Sequence, residues 1–255
     1  MSWGIGYWGK TVLDRPTITM SVVIFAAAIA TVSPFTSTAA DSDIDIGGMP
    51  SKVVSKLDGI AENAKDEKTR IDKENEERAR REAAERRLKH NSICENLDGV
   101  DSYWVDTANK KLAILPESLI DAFRADGWHY YCTTMNLDAV YYGSMYGGVM
   151  GTTNYDEHRI LVEDRTDAMD TAVIHEMGHW YDLHLGMITE TSEFMNIYYS
   201  EESTFKYTFT VHSHYDSTEL FAEAFWRFYT DNATLAASCP RLYALMSRVC
   251  PAPDN

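Results

Sequence analysis

The stretch "AVIHEMGHWYDLH", Ala172–His184, decides how the rest of this sequence is interpreted. It contains two histidines, His175 and His179, and Glu176 directly follows the first of them. A spacing of four residues places both imidazoles on one face of a helix, where they can bind one Zn²⁺. Glu176 is turned about 100° from His175, so it flanks the metal at the place of a general base. The stretch therefore predicts a catalytic zinc site.

The surrounding sequence predicts that this stretch is helical. Apolar residues recur at helical spacing through Arg165–Gly186, from Met169 to Trp180, and Gly186 is a helix stop signal. The same reasoning predicts helices over Leu115–Trp128, Ser217–Thr230 and Pro240–Val249, strands joined by a turn over Ala139–Asn154, and a strand over Glu157–Asp164.

A catalytic zinc needs a third protein ligand and an open position. The extended three-histidine pattern HExxHxxGxxH is not met, because Asp182 takes the place of its glycine and Leu185 the place of its last histidine. His184 misses that last place by one residue, which is about 100° of helix rotation. We therefore expect His184 at the surface or behind the ligands, and the third ligand elsewhere.

Two carboxylates in a later predicted helix, "ELFAEAFW", are candidates for that role. Glu219 and Glu223 lie one turn apart and border apolar residues, and a carboxylate beside apolar surface is costly unless it is paired or metal-bound. Glu219 is either a zinc ligand or the third residue of a capping box in which Asp216 is the N-cap. Glu223 either orients a histidine ligand or makes a structural hydrogen bond.

The segments "VIHEMGHWYD", "SEFMNIYYSEE" and "ELFAEAFW" together resemble the catalytic domain of anthrax lethal factor and the related Pro-Pro endopeptidases. The resemblance covers roughly Leu115–Thr230. It implies an α+β, zincin-like metallopeptidase domain whose active-site helix lies under a small mixed sheet. It also implies His175, His179 and Glu219 as ligands of Zn²⁺, Glu176 as the base, and Glu223 behind the ligands.

The sequence departs from this family at the residue that stabilises the oxyanion. The family places a tyrosine seven residues before the glutamate ligand, and His212 occupies that position here. Tyr215 is three residues later, and Tyr207 is five residues earlier. A hydroxyl or an imidazolium can donate to a developing oxyanion, so Tyr215, His212 and Tyr207 are all candidates, with Tyr215 favoured.

The resemblance also predicts where a substrate binds. The glycine-rich segment Gly147–Asn154 would form the sheet edge beside the zinc, where a peptide or protein substrate can add as an extended strand. The alternative is a glycine-rich hairpin that contacts no substrate. The predicted function is a zinc-dependent endopeptidase. The alternatives are an inactive or latent zincin-fold binding module and a zinc amidase acting on cell-wall peptide.

The N-terminus is typical of an export signal. Lys10 and Arg15 precede the apolar run Ser21–Val32, and small residues follow up to Ala40. Residues 1–40 are therefore predicted to be a cleaved signal peptide, which makes the protein secreted or extracytoplasmic. The alternative is an uncleaved signal anchor that tethers the chain to a membrane through residues 20–35.

Residues 41–93 are predicted to form a polar linker and a charged helical spacer, and residues 94–255 the metallopeptidase domain. Ser51–His90 is rich in Glu, Lys, Arg and Ala and lacks Pro, which favours a helix. It has no sustained apolar seam, so it is expected to be a solvated spacer or a weakly self-associating helix. The net charge of −16 argues against binding to nucleic acid.

Four cysteines follow the predicted cleavage site, and an even number in an exported chain favours disulfides. Because short loops close most cheaply, the favoured pairs are Cys94–Cys132 and Cys239–Cys250. The alternative is four buried free thiols.

Overall fold

The computed structural model of the chain describes residues 51–143, 148–210 and 216–252. The signal segment and membrane tether predicted near the N-terminus lie outside these residues. Within the described part of the chain, no helix combines the length and the apolar character that crossing a bilayer requires. Export of the protein stays a prediction.

The charged segment forms one helix, α1, Ser51–His90, so its predicted helical character is confirmed. The chain divides into two units, Met1–Lys65 and Asp66–Asn255. The domain boundaries predicted from the sequence stay predictions, as does self-association through α1. Ion pairs join charged side chains along this helix, such as that between Arg80 and Glu76 at 2.6 Å.

The described residues after α1 form a small sheet and a set of helices. The strands are β1 Cys94–Asn96, β2 His129–Thr133, β3 Gly151–Asn154 and β4 Arg159–Glu163. The α-helices are α2 Ser102–Leu112, α3 Glu117–Ala125, α4 Leu137–Tyr142, α5 Thr166–His184, α6 Ser192–Phe209, α7 Ser217–Thr230, α8 Asn232–Ser238 and α9 Pro240–Val249. A 3₁₀ turn, Ile188–Glu190, precedes α6.

The sheet is mixed and has the strand order β1-β2-β4-β3. β1, β2 and β4 are parallel, and β3 pairs antiparallel with β4. β3 is therefore an edge strand. The short connection between β3 and β4 allows this antiparallel pairing, whereas parallel strands need a longer crossover.

Helix α5 is buried because it packs against the sheet and against α7. The Tyr130 hydroxyl of β2 donates to the carbonyl of Val173 at 2.9 Å, and Trp180 packs edge-to-face on Phe123 with ring centroids 5.1 Å apart. On the α7 side, a Cβ atom added to Gly178 would lie 2.7 Å from a backbone atom of Ala222. The predicted α+β fold, with the active-site helix against a small mixed sheet, is confirmed.

The prediction of strands over Ala139–Asn154 is partly wrong. The segment Leu137–Tyr142 is the short helix α4, and of the described residues of Ala139–Asn154 only Gly151–Asn154 is a strand. The Asn136 side chain caps α4 by accepting from the backbone N–H of Ala139 at 2.8 Å. This local cap satisfies a helix N–H, which the strand propensity of valine and tyrosine does not outweigh.

Neither predicted disulfide is present, and all four cysteines are buried free thiols. In the parallel pairing of β1 with β2, Cys94 lies opposite Tyr130, and Cys132 lies opposite Asn96. The two cysteines are thus diagonal neighbours whose Cα atoms are about 8 Å apart, beyond the reach of a disulfide. Burial raises the pKa of the Cys132 thiol to about 12.

The second predicted disulfide, Cys239–Cys250, fails for a different reason. The two cysteines cap opposite ends of α9. Because a helix rises about 1.5 Å per residue, their Cα atoms are about 16 Å apart. The cheap closure of a short loop applies to flexible chain and not to a segment that folds as a rigid helix.

Candidate metal centre

Helix α5 brings the two predicted histidine ligands together. The Nε2 atoms of His175 and His179 face each other at 3.1 Å, and the two rings lie edge-to-face with centroids 4.8 Å apart. Both side chains are largely buried, with exposed fractions of 13% and 10%. Their one-turn spacing places them on the face of α5 that α7 covers.

Helix α7 supplies the third member of the cluster. The Glu219 carboxylate lies 3.2 Å from Nε2 of His175 and 3.4 Å from Nε2 of His179. This approach depends on small residues at the helix contact, because Gly178 of α5 meets the backbone of Ala222 in α7. The three residues form a His/His/Glu group of metal-ligand type.

The spacing of these three residues fits a tetrahedral zinc site. Zinc bonds to imidazole nitrogen and carboxylate oxygen are about 2.0–2.2 Å long, so two ligand atoms of a tetrahedral site lie about 3.3–3.6 Å apart. The three closest separations in the cluster are 3.1, 3.2 and 3.4 Å. The residues present therefore match zinc in number, donor type and spacing.

The charges of the cluster compensate one another. Burial opposes protonation of His175, but the carboxylates of Glu219 and Glu223 beside its two ring nitrogens and the charge of Glu176 raise its pKa to about 10. Burial also opposes ionisation of Glu219, but the contacts with His175 and His179 hold the pKa of its carboxyl well below the usual range. At neutral pH a proton on His175 therefore balances the Glu219 carboxylate when no metal is bound.

Glu176 faces the sheet rather than α7. Its side chain is 6% exposed, and one carboxylate oxygen accepts a hydrogen bond from the Thr153 hydroxyl at 2.7 Å. Glu176 thus lies beside the cluster on α5, with its carboxylate held against β3. A carboxylate in this position can exchange a proton with a molecule bound between β3 and the histidines.

Glu223 lies one turn after Glu219 and contacts the rear of His175. One of its oxygens lies 3.5 Å from Nδ1 of His175, and the other lies 3.7 Å from Nε of Arg227. The guanidinium of Arg227 stacks over the ring of Trp226 at 3.7 Å. A carboxylate at Nδ1 favours the tautomer that leaves Nε2 free for a metal.

The C-terminal part of the chain is similar to a known protein family. Residues 155–249 match the family described as "Anthrax toxin lethal factor, N- and C-terminal domain". The resemblance predicted from the sequence is confirmed.

A solved structure, that of the Pro-Pro endopeptidase PPEP-2 from Paenibacillus alvei, also matches the chain. It aligns with a TM-score of 0.48 and 22% sequence identity, over 62% of this chain and 98% of that chain. No curated protein matches the chain.

The geometry at the start of α7 bears on the two roles considered for Glu219. Asp216 is the N-cap of α7, since its side chain accepts from the backbone N–H groups of Thr218 and Glu219 at 2.9 and 3.0 Å. The carboxylate of Glu219 nevertheless contacts His175 and His179. The cap and the ligand position therefore coexist in one turn of helix.

Of the three predicted oxyanion residues, the structure describes Tyr207. His212 and Tyr215 lie outside the described residues, so their role stays a prediction. Tyr207, on α6, has an exposed fraction of 88%. His184 bonds through Nδ1 to the carboxylate of Asp126 at 2.7 Å, as expected for a residue outside the ligand set.

The structure adds one contact that sequence reasoning missed. Thr153 meets Glu176 across 23 positions of sequence. No periodic pattern or motif spacing connects the two residues. The one available sign was that Thr153 falls in the segment Gly147–Asn154, which the resemblance placed at the sheet edge beside the zinc.

Proposed function

We propose that this protein is an exported zinc-dependent metalloendopeptidase. The observation that carries the proposal is the convergence of His175, His179 and Glu219, with Glu176 beside them on the same helix. The match to the lethal factor family supports a metallopeptidase. The alternative of a purely binding module does not account for a buried carboxylate placed beside a metal-ligand cluster.

Three residues would hold the zinc ion, and each is prepared for that role. His175 and His179 offer Nε2, and Glu219 offers carboxylate oxygen. Zinc in such a site polarises a carbonyl and lowers the pKa of water in its open position. Glu223 would keep His175 oriented by accepting from Nδ1, at the 3.5 Å separation observed.

Glu176 would move the proton in hydrolysis of the peptide bond. Its carboxylate takes a proton from the attacking water, whose oxygen bonds to the carbonyl carbon. It then delivers that proton to the amide nitrogen, and the carbon–nitrogen bond breaks to release an amine and a carboxylic acid. The burial of Glu176 strengthens its electrostatic interactions with neighbouring groups.

The substrate proposed is a peptide or protein segment in extended conformation. Among the described residues, β3 pairs with β4 alone and forms the edge of the sheet. An edge strand offers backbone N–H and C=O groups that an added strand can bond. Of the predicted segment, Gly151–Asn154 is strand, and Gly147 lies outside the described residues.

The test compares the wild-type protein with Glu176→Ala and with the control Glu190→Ala, which changes an exposed glutamate. Bound zinc is measured by elemental analysis, and cleavage is measured on a mixed peptide library. We expect one zinc per chain in all three proteins and a loss of cleavage of at least about 100-fold in Glu176→Ala alone. The absence of zinc from the wild-type protein would disprove the proposal, whereas zinc without cleavage in the wild type would favour a binding module.

A further inference from the structure

The edge strand β3 holds the carboxylate of Glu176 through Thr153. The Thr153 hydroxyl lies 2.7 Å from Oε2 of Glu176 and 3.0 Å from the backbone carbonyl of the same residue. A hydroxyl has a single proton to donate, and a hydrogen bond to an ionised oxygen is the stronger of the two. Thr153 therefore fixes the orientation of the side chain and not merely the position of helix α5.

Gly151 leaves the space that the same carboxylate occupies. A Cβ atom at Gly151 would lie 2.7 Å from both Cγ and Oε1 of Glu176. Side chains two residues apart on a strand point to the same face, so Gly151 and Thr153 both face α5. One residue supplies room for the Glu176 carboxylate, and the other supplies its hydrogen-bond donor.

The same two residues expose their backbone at the free edge. The N–H of Glu163 donates to the carbonyl of Met150 at 2.9 Å, and in the antiparallel register Gly151 lies opposite Val162. Bonded and non-bonded pairs alternate in an antiparallel ladder. The backbone groups of Gly151 and Thr153 therefore point away from β4, towards the edge where a peptide would add.

We propose that Thr153 is a positioning residue that sets the Glu176 carboxylate in register with a peptide bound to β3. The inference rests on the proposed function and extends it. A peptide that bonds the backbone of Gly151 and Thr153 aligns itself on the strand that also holds Glu176. The same strand then positions both the base and the scissile peptide bond. This shared positioning matters because small errors of placement slow a reaction strongly.

The test uses three variants of the full chain. Thr153→Val removes the hydroxyl while it keeps the shape, and Thr153→Ser keeps the hydroxyl. The control Thr107→Val removes a hydroxyl in α2 that donates to the carbonyl of Tyr103, outside the strand to which the peptide would add. With a substrate found in the library, we expect Thr153→Val to lower kcat about tenfold to 100-fold, the loss of one hydrogen bond to a charged group. We expect KM within about twofold of wild type, since this bond contributes mainly to the chemical step.

The pattern across the variants separates positioning from a structural role. Thr153→Ser should recover kcat to within about threefold of wild type, and Thr107→Val should stay near wild type. All variants should retain one zinc per chain. An unchanged kcat in Thr153→Val, an equal loss in Thr153→Ser, or a change confined to KM would overturn the proposal.

A second readout does not depend on activity. Melting temperatures of the metal-free wild type, Thr153→Val, Glu176→Ala and the double variant form a thermodynamic cycle. We expect the melting temperature of the double variant to fall by less than the sum of the decreases in the two single variants, because either change breaks the same hydrogen bond. Additive losses would show that the contact is absent. If the wild-type protein binds zinc but cleaves nothing, the proposed function is disproved. A non-additive cycle in that case would still establish the contact between Thr153 and Glu176.

Discussion

The long helix α1 and the two packed helices α5 and α7 are all rich in charged and titratable residues. These residues are exposed to solvent in α1 and buried where α5 meets α7. In α1, Arg80 and Glu76 pair one turn apart with side chains 77% and 62% exposed. In the helix pair, His175 and Glu223 are 13% and 12% exposed and meet across the helix interface. The same kinds of side chain are solvated in one region and buried together in the other.

The difference shows how burial determines what a charge does. An exposed ion pair gains little, because water and salt screen it and two long side chains lose freedom. A buried titratable group must be compensated by partners, and the partners of His175 shift its pKa to about 10. We therefore expect α1 to tolerate substitution, whereas α5 and α7 should respond to changes of a few atoms.

The largest expected difference between the two regions concerns zinc binding. Loss of a residue that orients a metal ligand typically lowers metal affinity about 10-fold to 100-fold. Glu219→Ala removes one of the three proposed ligands itself, so we expect the zinc affinity to fall by more than about 100-fold. The matched change Glu77→Ala in α1 should leave the affinity unchanged. Competition with a chromogenic chelator measures both, and tight zinc binding by Glu219→Ala would show that the third ligand lies elsewhere.

A second pair of glutamates tests whether Glu223 orients His175. Glu223→Gln retains the shape of the side chain but removes the charge beside Nδ1 of His175, and we expect the zinc affinity to fall about 10-fold to 100-fold. Glu76→Gln makes the same change in an exposed ion pair and should have no effect on zinc. The same chelator titration measures the zinc affinity of both variants, and equal affinities would show that Glu223 does not orient His175.

The buried cluster should also make zinc binding depend on pH. Because the pKa of His175 is about 10 in the metal-free protein, this residue is protonated at neutral pH, and zinc must displace the proton. Between about pH 7 and pH 8.5 we expect the affinity to rise roughly tenfold per pH unit, with about one proton released per zinc. Calorimetry in buffers of different ionisation enthalpy measures the number of protons released per zinc bound. Zinc binding without proton release would contradict the assigned protonation of His175.

Two glycines test the comparison through stability, and the expected effects of their substitution have opposite signs. A Cβ atom at Gly178 would meet Ala222 at 2.7 Å, so Gly178→Ala should lower the free energy of unfolding by about 1–3 kcal/mol. Gly59 in α1 has no atom within 4 Å of such a Cβ, so Gly59→Ala should favour the helix by about 0.5–1 kcal/mol. Urea denaturation measures the first change and far-UV circular dichroism the second. Destabilisation by Gly59→Ala would show that α1 is not a freely solvated helix.

Features that depend on local spacing can be predicted from the sequence of this protein. The one-turn separation of His175 and His179 and the bounds of α7 follow from helical periodicity, which acts within a few residues. The sequence also singled out Glu219 and Glu223, because carboxylates beside apolar residues need partners. The structure confirms that Glu219 and the two histidines converge.

Features that depend on sheet register and on distance through space follow from the folded structure instead. The sheet register sets Cys94 and Cys132 diagonally, and helix α9 separates Cys239 from Cys250, so neither predicted disulfide forms. The contact of Thr153 with Glu176 likewise arises from the packing of β3 on α5. Local sequence patterns do not specify which strand face meets which turn of a distant helix, because that choice depends on the packing of the whole core.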